Sequence, residues 1–171
     1  LYEGDWHKGF RHGFGTLSKR LSNGTFSLEY RGEWVRGKPE GAGWRYYDNG
    51  DVYFGFWTGG QRHGYGKMWY NDDTFYVGYW CMGKKQGLGM FNGNRYEGHW
   101  EGDQKNGVGR FYHLHTGQLQ EGCWKDDIYR VYIISQGNVE NDEFTGSLKE
   151  NINSKNMLKC VVWYFPKKFF D

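Results

Sequence analysis

The chain has 171 residues and a formal net charge of +2 at pH 7, too small a charge to indicate nucleic-acid binding. Its 28 glycines are about twice the ordinary usage and its 2 prolines far below it, which excludes collagen and most proline-rich disorder. Aromatic residues make up 20 % of the chain, whereas disordered chains are poor in them. No stretch approaches the roughly 18 apolar residues of a membrane-spanning helix.

Side-chain patterns typical of enzymes are missing from the sequence. It has no nucleophile elbow, phosphate-binding loop, His-Glu-x-x-His motif or paired acids, so we predict no catalysis and no cofactor. Cys81, Cys123 and Cys160 are widely spaced and form no Cys-x-x-Cys pair, which predicts neither a disulfide framework nor a zinc site and favours a reducing, cytoplasmic compartment. His113 and His115 would share one face of a strand, but no third ligand accompanies them, so we predict no metal ion.

A five-residue motif, Tyr-x-Gly-x-Trp, recurs along most of the chain. It begins at Tyr2, Tyr30, Tyr53, Tyr76 and Tyr96, and a sixth copy that begins at residue 120 lacks only the tyrosine. Successive copies start 28, 23, 23, 20 and 24 residues apart, and glycines recur 7, 11 and 13 residues after each of the first four tyrosines. Such self-similarity predicts a repeat architecture.

Each unit has the pattern of a β-hairpin. The tyrosine, glycine and tryptophan share one face of a strand, and the two intervening residues share the other. In the first unit about six polar residues, 7–12, are expected to turn the chain, and 13–17 to return as the second strand. Asn23-Gly24, Asn49-Gly50 and Asn92-Gly93 favour tight turns between units. We therefore predict an all-β fold, an elongated single-layer array of tandem antiparallel β-hairpins.

The repeats divide the chain into two parts. The array is predicted to cover residues 1–127, with units starting near residues 2, 30, 53, 76, 96 and 120. Residues 128–171 form a non-repeat tail, in which 135–156 have the polar, Asn-rich composition of a linker. The apolar run Leu158–Phe165 is either a capping strand or a segment that inserts into a partner. Because the chain begins at Leu1, directly against a strand, we expect part of another unit upstream or a partner that covers this edge.

The spacing Tyr-x-Gly-x-Trp-x-x-Gly-x-x-x-Gly-x-Gly resembles the MORN (membrane occupation and recognition nexus) repeat over residues 2 to about 127. The resemblance implies a stack of hairpins that binds other proteins. A closer resemblance within the family, carried by residues 94–100, 109–114 and 117–122 and by the long first unit, implies a structural component of the axoneme of motile cilia or sperm flagella. It also implies axonemal or tubulin-associated partners, with the acrosome as a further location.

The aromatic residues of the motif are the first candidate site. They either form a groove that grips a partner peptide or stack as the core, and stacking is favoured because every unit needs them to fold. An intermediate arrangement leaves one side of the sheet partly exposed to a partner helix. The residues are Tyr2, Trp6, Tyr30, Trp34, Tyr53, Trp57, Tyr76, Trp80, Tyr96, Trp100 and Trp124.

The cations of the predicted turns are the second candidate site. Stacked in register, they would line one edge of the array and bind an acidic partner such as a tubulin tail, an acidic coiled coil or anionic lipid heads. Alternatively they are solvated turn residues that protect a sheet edge from aggregation. The residues of this basic edge are Lys8, Arg11, Arg36, Lys38, Arg62, Lys84, Lys85 and Lys105.

Two functions follow from these patterns. The favoured one is a non-catalytic scaffold or adaptor that mediates protein–protein interactions in the cytoskeleton of a cilium or flagellum. The alternative is a peripheral membrane module that binds anionic phospholipid through the basic turns, and its binding would be lost at high salt.

Overall fold

The computed structural model describes residues 1–130, 132–135 and 138–141. Twelve strands form one antiparallel sheet in which each strand is hydrogen-bonded to its neighbours in sequence. Strands are the only regular elements of the described residues, and none of these residues belongs to a helix long and apolar enough to cross a membrane. The predicted all-β array of tandem hairpins is confirmed. At the usual strand spacing, twelve strands extend over roughly 50 Å.

The strands of the sheet, β1 to β12, are Tyr2–His7, Phe10–Arg20, Phe26–Val35, Lys38–Tyr46, Val52–Thr58, Gln61–Trp69, Phe75–Cys81, Lys84–Phe91, Arg95–Glu101, Gln104–His113, Gln118–Lys125 and Ile128–Arg130. The sheet therefore ends at residue 130 rather than at 127, because Tyr129 pairs with Trp124 and its ring lies 5.0 Å away. Two further strands, β13 (Tyr132–Ser135) and β14 (Asn138–Asn141), form a separate hairpin. This hairpin overlaps the segment 135–156, whose composition predicted a linker. The apolar run at residues 158–165 lies outside the described residues.

The turns within the hairpins are shorter than the sequence suggested. Lys8 and Gly9 form the whole first turn, with φ of 49° and 78°, and β2 already begins at Phe10. Positive φ at both central residues is the type I′ geometry, whose twist matches that of the flanking strands. The expected six-residue turn is therefore wrong, since residues 10–12 belong to β2.

The connections between hairpins also differ from the expected tight Asn-Gly turns. In the first, Gly24 has a φ of 86° but Asn23 does not adopt positive φ. The amide of Gly24 donates to the carbonyl oxygen of Leu21 at 3.0 Å, and the amide of Thr25 donates to the Asn23 side-chain oxygen at 3.0 Å. The asparagine thus closes a five-residue loop with its side chain, as turn asparagines often do.

Glycines form a continuous row across the sheet. Gly4 pairs with Gly15, Gly15 with Gly32, Gly32 with Gly43, and the series continues strand by strand to Gly122. The bare row leaves room for the tyrosine rings, which lie directly on it. A Cβ atom added to Gly43 would stand 2.2 Å from the Tyr30 hydroxyl oxygen.

The core consists of these tyrosines and the tryptophans of the motif. Each tyrosine ring meets the tryptophan of its own unit at 4.9–5.2 Å and the tryptophan of the next unit at 5.1–5.5 Å. Most pairs are edge-to-face, the favoured geometry for aromatic rings. The buried residues are Tyr30, Trp34, Tyr53, Trp57, Met68, Tyr76, Trp80, Tyr96, Trp100 and Trp124.

Hydrogen bonds fix most of the rings in this stack. In all five units that begin with tyrosine, its hydroxyl donates to the carbonyl oxygen three residues further on, at 3.1–3.2 Å. The indole nitrogens of Trp34, Trp57, Trp80 and Trp100 donate to a glycine carbonyl of the preceding unit at 3.1–3.2 Å. No buried side-chain nitrogen or oxygen of the described residues lacks a partner.

The first unit departs from this pattern. Trp6 is 61 % exposed, although its motif position predicts a place in the core, and Tyr2 is half-buried. The cause is the order of packing: each later tryptophan lies against the tyrosine of the unit before it, and β1 is the edge strand of the described sheet. The tyrosine of the first unit still reaches Trp34, at 5.5 Å.

Candidate protein-binding surfaces

The sheet has two unlike faces. We call the face that carries the tyrosines, glycines and tryptophans the core face, and the opposite one the outer face. In β5 the pattern is clear, since Tyr53, Gly55 and Trp57 are buried while Phe54 and Phe56 are exposed. The strict alternation of a strand places the two sets on opposite sides. Any surface available to a partner therefore lies on the outer face, on the edges or in gaps of the core face.

The cations predicted to form one basic edge fall into two groups. Four of them are exposed and lie in or beside the two-residue turns: Lys8, Arg36, Lys38 and Lys84. These turns all join the strands on the same side of the array, which we call the turn edge. Aspartates 103, 126 and 127 occupy the equivalent turns of the later units, so the charge along this edge is mixed. His12, which belongs to the segment 7–12 that was expected to turn the chain, lies in β2.

The second group of cations lies on the core face and contacts the aromatic stack. Arg11, Arg62, Lys85 and Lys105 each stand opposite the tryptophan of their own unit in the strand register. The guanidinium carbon of Arg11 lies 4.2 Å from the ring centroid of Trp34 in the next unit.

Arg62 and Lys85 repeat this arrangement, 4.3 Å from Trp80 and 4.7 Å from Trp100. The two arginines also donate to glycine carbonyls, Arg11 to Gly37 at 3.0 Å and Arg62 to Gly83 at 2.5 Å. These cations therefore join consecutive units, a role that sequence reasoning missed. The sequence does contain a signal for this role, because four of the first five units have a cation five residues after the motif tryptophan.

A groove opens on the core face between the third and fourth units. It has a volume of about 290 Å³ and is lined by Tyr47, Asp51, Arg62, Met68, Tyr70, Trp80, Lys85 and Asp103. Burial lowers the pKa of the Lys85 ammonium from its ordinary value and raises the pKa of Tyr70 to about 12. The groove combines two cations, two carboxylates and aromatic walls.

The outer face carries a surface that sequence reasoning also missed. In the third and fourth units the residues between the motif positions are Phe54, Phe56, Val77 and Tyr79, whereas the first unit has acids there. Phe54 is 41 % exposed, Phe56 55 % and Tyr79 52 %. Because the intervening positions point away from the core, an aromatic residue at these positions is the sequence signal for an exposed apolar surface.

Neighbouring strands extend these residues into one continuous surface. Trp44 pairs with Phe54 in the register and stacks on it at 4.4 Å, and Tyr65 pairs with Tyr79 at 5.5 Å. Trp69 stacks on Trp44 at 5.9 Å. We define the outer aromatic patch as six of the aromatic residues on this face of β4 to β7: Trp44, Phe54, Phe56, Tyr65, Trp69 and Tyr79.

Charged residues lie at the centre of the outer aromatic patch and on both sides of it. The Lys67 ammonium lies over the rings of Trp69 and Phe75, at 4.6 Å and 4.1 Å. Towards β1 the corresponding positions are Arg31 and Glu33 in β3, and further on Glu3 and Asp5. Towards β12 they include Glu97 and Glu121. The aromatic patch is therefore confined to the middle of the array.

Among the described residues, no group of three or more His, Cys, Asp or Glu side chains is placed to hold a metal ion. Cys81 is an exposed free thiol. The His113 ring lies 2.9 Å from the side-chain oxygen of Gln120 on the neighbouring strand.

A family model described as MORN repeat matches residues 2–20, 30–52, 53–75 and 96–113. The segment between the last two matches folds in the same way, since Tyr76, Gly78 and Trp80 have the register and the hydrogen bonds of the other units. No curated protein matches the chain.

Proposed function

Because the chain is a MORN-repeat protein, we propose that it is a non-catalytic scaffold that binds a partner protein through the outer aromatic patch. The supporting observation is that Phe54, Phe56, Tyr65 and Tyr79, between 41 % and 55 % exposed, adjoin one another on a face that the core does not use. Contiguous exposed apolar surface of this kind marks protein interaction sites. Aromatic residues are also enriched at such interfaces.

The occupant we propose is an amphipathic helix of the partner. Its apolar stripe would cover the aromatic rings, and an acidic residue beside that stripe would meet Lys67. That ammonium is the one cation among the outer-face residues of β5 to β7. An amphipathic helix that lays its apolar face against a hydrophobic groove of its receptor is an established mode of peptide recognition.

A photocrosslinking residue at position 56 or 79 identifies the partner, with position 14 as the control. Phe14 is also on the outer face and 54 % exposed but lies outside the patch. The purified partner is then titrated against the wild type, Phe56→Thr/Tyr79→Thr and Phe14→Thr. We expect the double variant to bind at least about tenfold more weakly, as for interface hot spots, and Phe14→Thr to bind normally. Full affinity of the folded double variant would exclude the patch.

We further propose that this scaffold belongs to the axoneme of a motile cilium or sperm flagellum, where it joins axonemal or tubulin-associated proteins. The support is sequence resemblance: residues 94–100, 109–114 and 117–122, with the 28-residue first unit, resemble MORN repeat-containing protein 3. Extraction of ciliated cells or sperm with mild detergent and then with salt tests this location. Retention on the detergent-stripped axoneme is expected, and release with the membrane fraction, including that of the acrosome, would contradict it.

A second candidate function is binding to anionic phospholipid. It is favoured by four exposed cations on the turn edge, Lys8, Arg36, Lys38 and Lys84. A basic residue near an anionic surface contributes about 1 kcal/mol, and salt screens this attraction. Flotation with phosphatidylserine vesicles at low and high salt tests it. Salt-sensitive flotation that Lys38→Glu/Lys84→Glu abolishes would support membrane binding, and failure to float at low salt would exclude it.

A further inference from the structure

Lys85 differs from the other cations of the core face in what its charged end contacts. Arg11 and Arg62 donate to carbonyl oxygens, and the Lys105 ammonium lies 3.8 Å from an oxygen of Asp127. Within the described part of the chain, the Lys85 ammonium has only aromatic rings as close partners, the nearest being Trp100 at 4.7 Å. A cation removed from water without a counterion is costly.

The charges around Lys85 act in both directions. Asp103 and Asp127 attract its ammonium from a distance, whereas Arg62, which lines the same groove, repels it. The two carboxylates of the groove are already engaged by backbone amides: Asp103 accepts from the Lys85 amide at 2.8 Å and Asp51 from the Asn71 amide at 3.0 Å. Neither lies within 4 Å of the Lys85 ammonium as an ion pair. A bound anion would give the Lys85 ammonium a directly contacting counterion.

We propose that this groove is a carboxylate-binding site, in which Lys85 and Arg62 hold the acidic group of a bound peptide. Asp51 and Asp103 favour a singly charged carboxylate over a doubly charged phosphate, which they would repel more strongly. Met68 and the aromatic walls accommodate the methylene groups that precede the carboxylate of a glutamate side chain. The site lies on the core face and is independent of the outer aromatic patch.

The test uses the full chain and a fluorescent oligo-glutamate peptide with an amidated C-terminus. We expect Lys85→Met, which keeps the aliphatic contacts, to weaken binding at least about tenfold, because it removes one member of a charge pair. Lys84→Met is the first matched control, since Lys84 is the neighbouring residue and is exposed. Lys105→Met is the second, since it occupies the equivalent position one unit later but is already paired with Asp127.

Equal binding by the wild type and a correctly folded Lys85→Met protein, or no binding by the wild type, would overturn the proposal. A peptide with glutamines in place of the glutamates and a free C-terminus separates the two sources of carboxylate. Its binding, if sensitive to Lys85→Met, assigns the site to chain termini rather than side chains. Displacement by inorganic phosphate at lower concentration than by glutarate would refute the carboxylate assignment.

Failure of this site and failure of the proposed scaffold function are distinguishable. The double variant Phe56→Thr/Tyr79→Thr changes only the outer face and is expected to keep its affinity for oligo-glutamate. Loss of peptide binding in that variant, with unchanged thermal unfolding, would show that the peptide binds to the outer face and would overturn the core-face assignment.

Discussion

The indole nitrogen of Trp57 donates a hydrogen bond to the carbonyl oxygen of Gly43, 3.1 Å away and 14 residues earlier in the chain. The donor belongs to the third unit and the acceptor to the second. The same bond recurs at three other unit boundaries. Each of these four buried tryptophans therefore links two units by packing and by one directed bond, so the stability of the array depends on its boundaries as well as on its hairpins.

Trp57→Ala is expected to destabilise the array by about 3–5 kcal/mol, because it removes a buried aromatic ring and leaves a cavity. Urea unfolding followed by tryptophan fluorescence and circular dichroism measures the change. Trp6→Ala is the control, since Trp6 has the same motif position but is 61 % exposed, and its cost should stay below about 1 kcal/mol. Similar costs for the two variants would contradict the packing order described for the first unit.

The sequence predicts the architecture well because the repeat is strict. The spacing of tyrosine, glycine and tryptophan carries the strand alternation and the hairpin order, and both appear in the sheet. Turn lengths were less predictable, since residues such as Phe10 and Arg11 suit a loop or a strand equally and only the pairing decides. Arg62 and Lys85 each contact a ring of the next unit. Predicting which ring each of them contacts requires the pairing register between strands, which the sequence alone does not provide.

The glycine row should tolerate almost no side chain. A Cβ atom at Gly55 would stand 2.4 Å from the Tyr53 hydroxyl oxygen and 2.6 Å from the Gly66 Cα atom. Gly55→Ala should therefore cost about 1–3 kcal/mol or more through overpacking, measured as a lowered midpoint of thermal unfolding. Gly102→Asn is the control: its Cβ meets nothing within 4 Å, and asparagine tolerates the φ of 59° better than other residues. A neutral Gly55→Ala would mean that the tyrosine ring shifts freely.

The two groups of cations should respond differently to truncation. Arg62→Ala removes the contact with Trp80 and the hydrogen bond to Gly83, and is expected to destabilise the protein by about 1–3 kcal/mol. Lys38→Ala changes an exposed residue beside a turn and should stay within about 0.5 kcal/mol of the wild type. Chemical denaturation of both variants at two salt concentrations measures this. Equal effects would place Arg62 with the solvent-exposed cations.

Alkaline pH should weaken the array, because its core contains buried tyrosines. Burial raises the pKa of Tyr70 from 10.0 to about 12 and raises the pKa values of Tyr30, Tyr53, Tyr76 and Tyr96 still further. Above pH 10 these phenols lose their protons in the unfolded chain but keep them in the folded one. The unfolded state then binds fewer protons, so stability falls with rising pH.

For Tyr70 the corresponding stability is fully present below pH 10 and is lost as the pH rises through about 12. We expect the phenolate absorbance of the buried tyrosines to rise together with unfolding rather than before it, and Tyr70→Phe to reduce the slope of stability against pH by about one proton in that window. Tyr65→Phe is the control, because Tyr65 is 52 % exposed on the outer face. Phenolate formation by the buried tyrosines in a fully folded protein would show that these rings are open to solvent and that the core face is not closed over them.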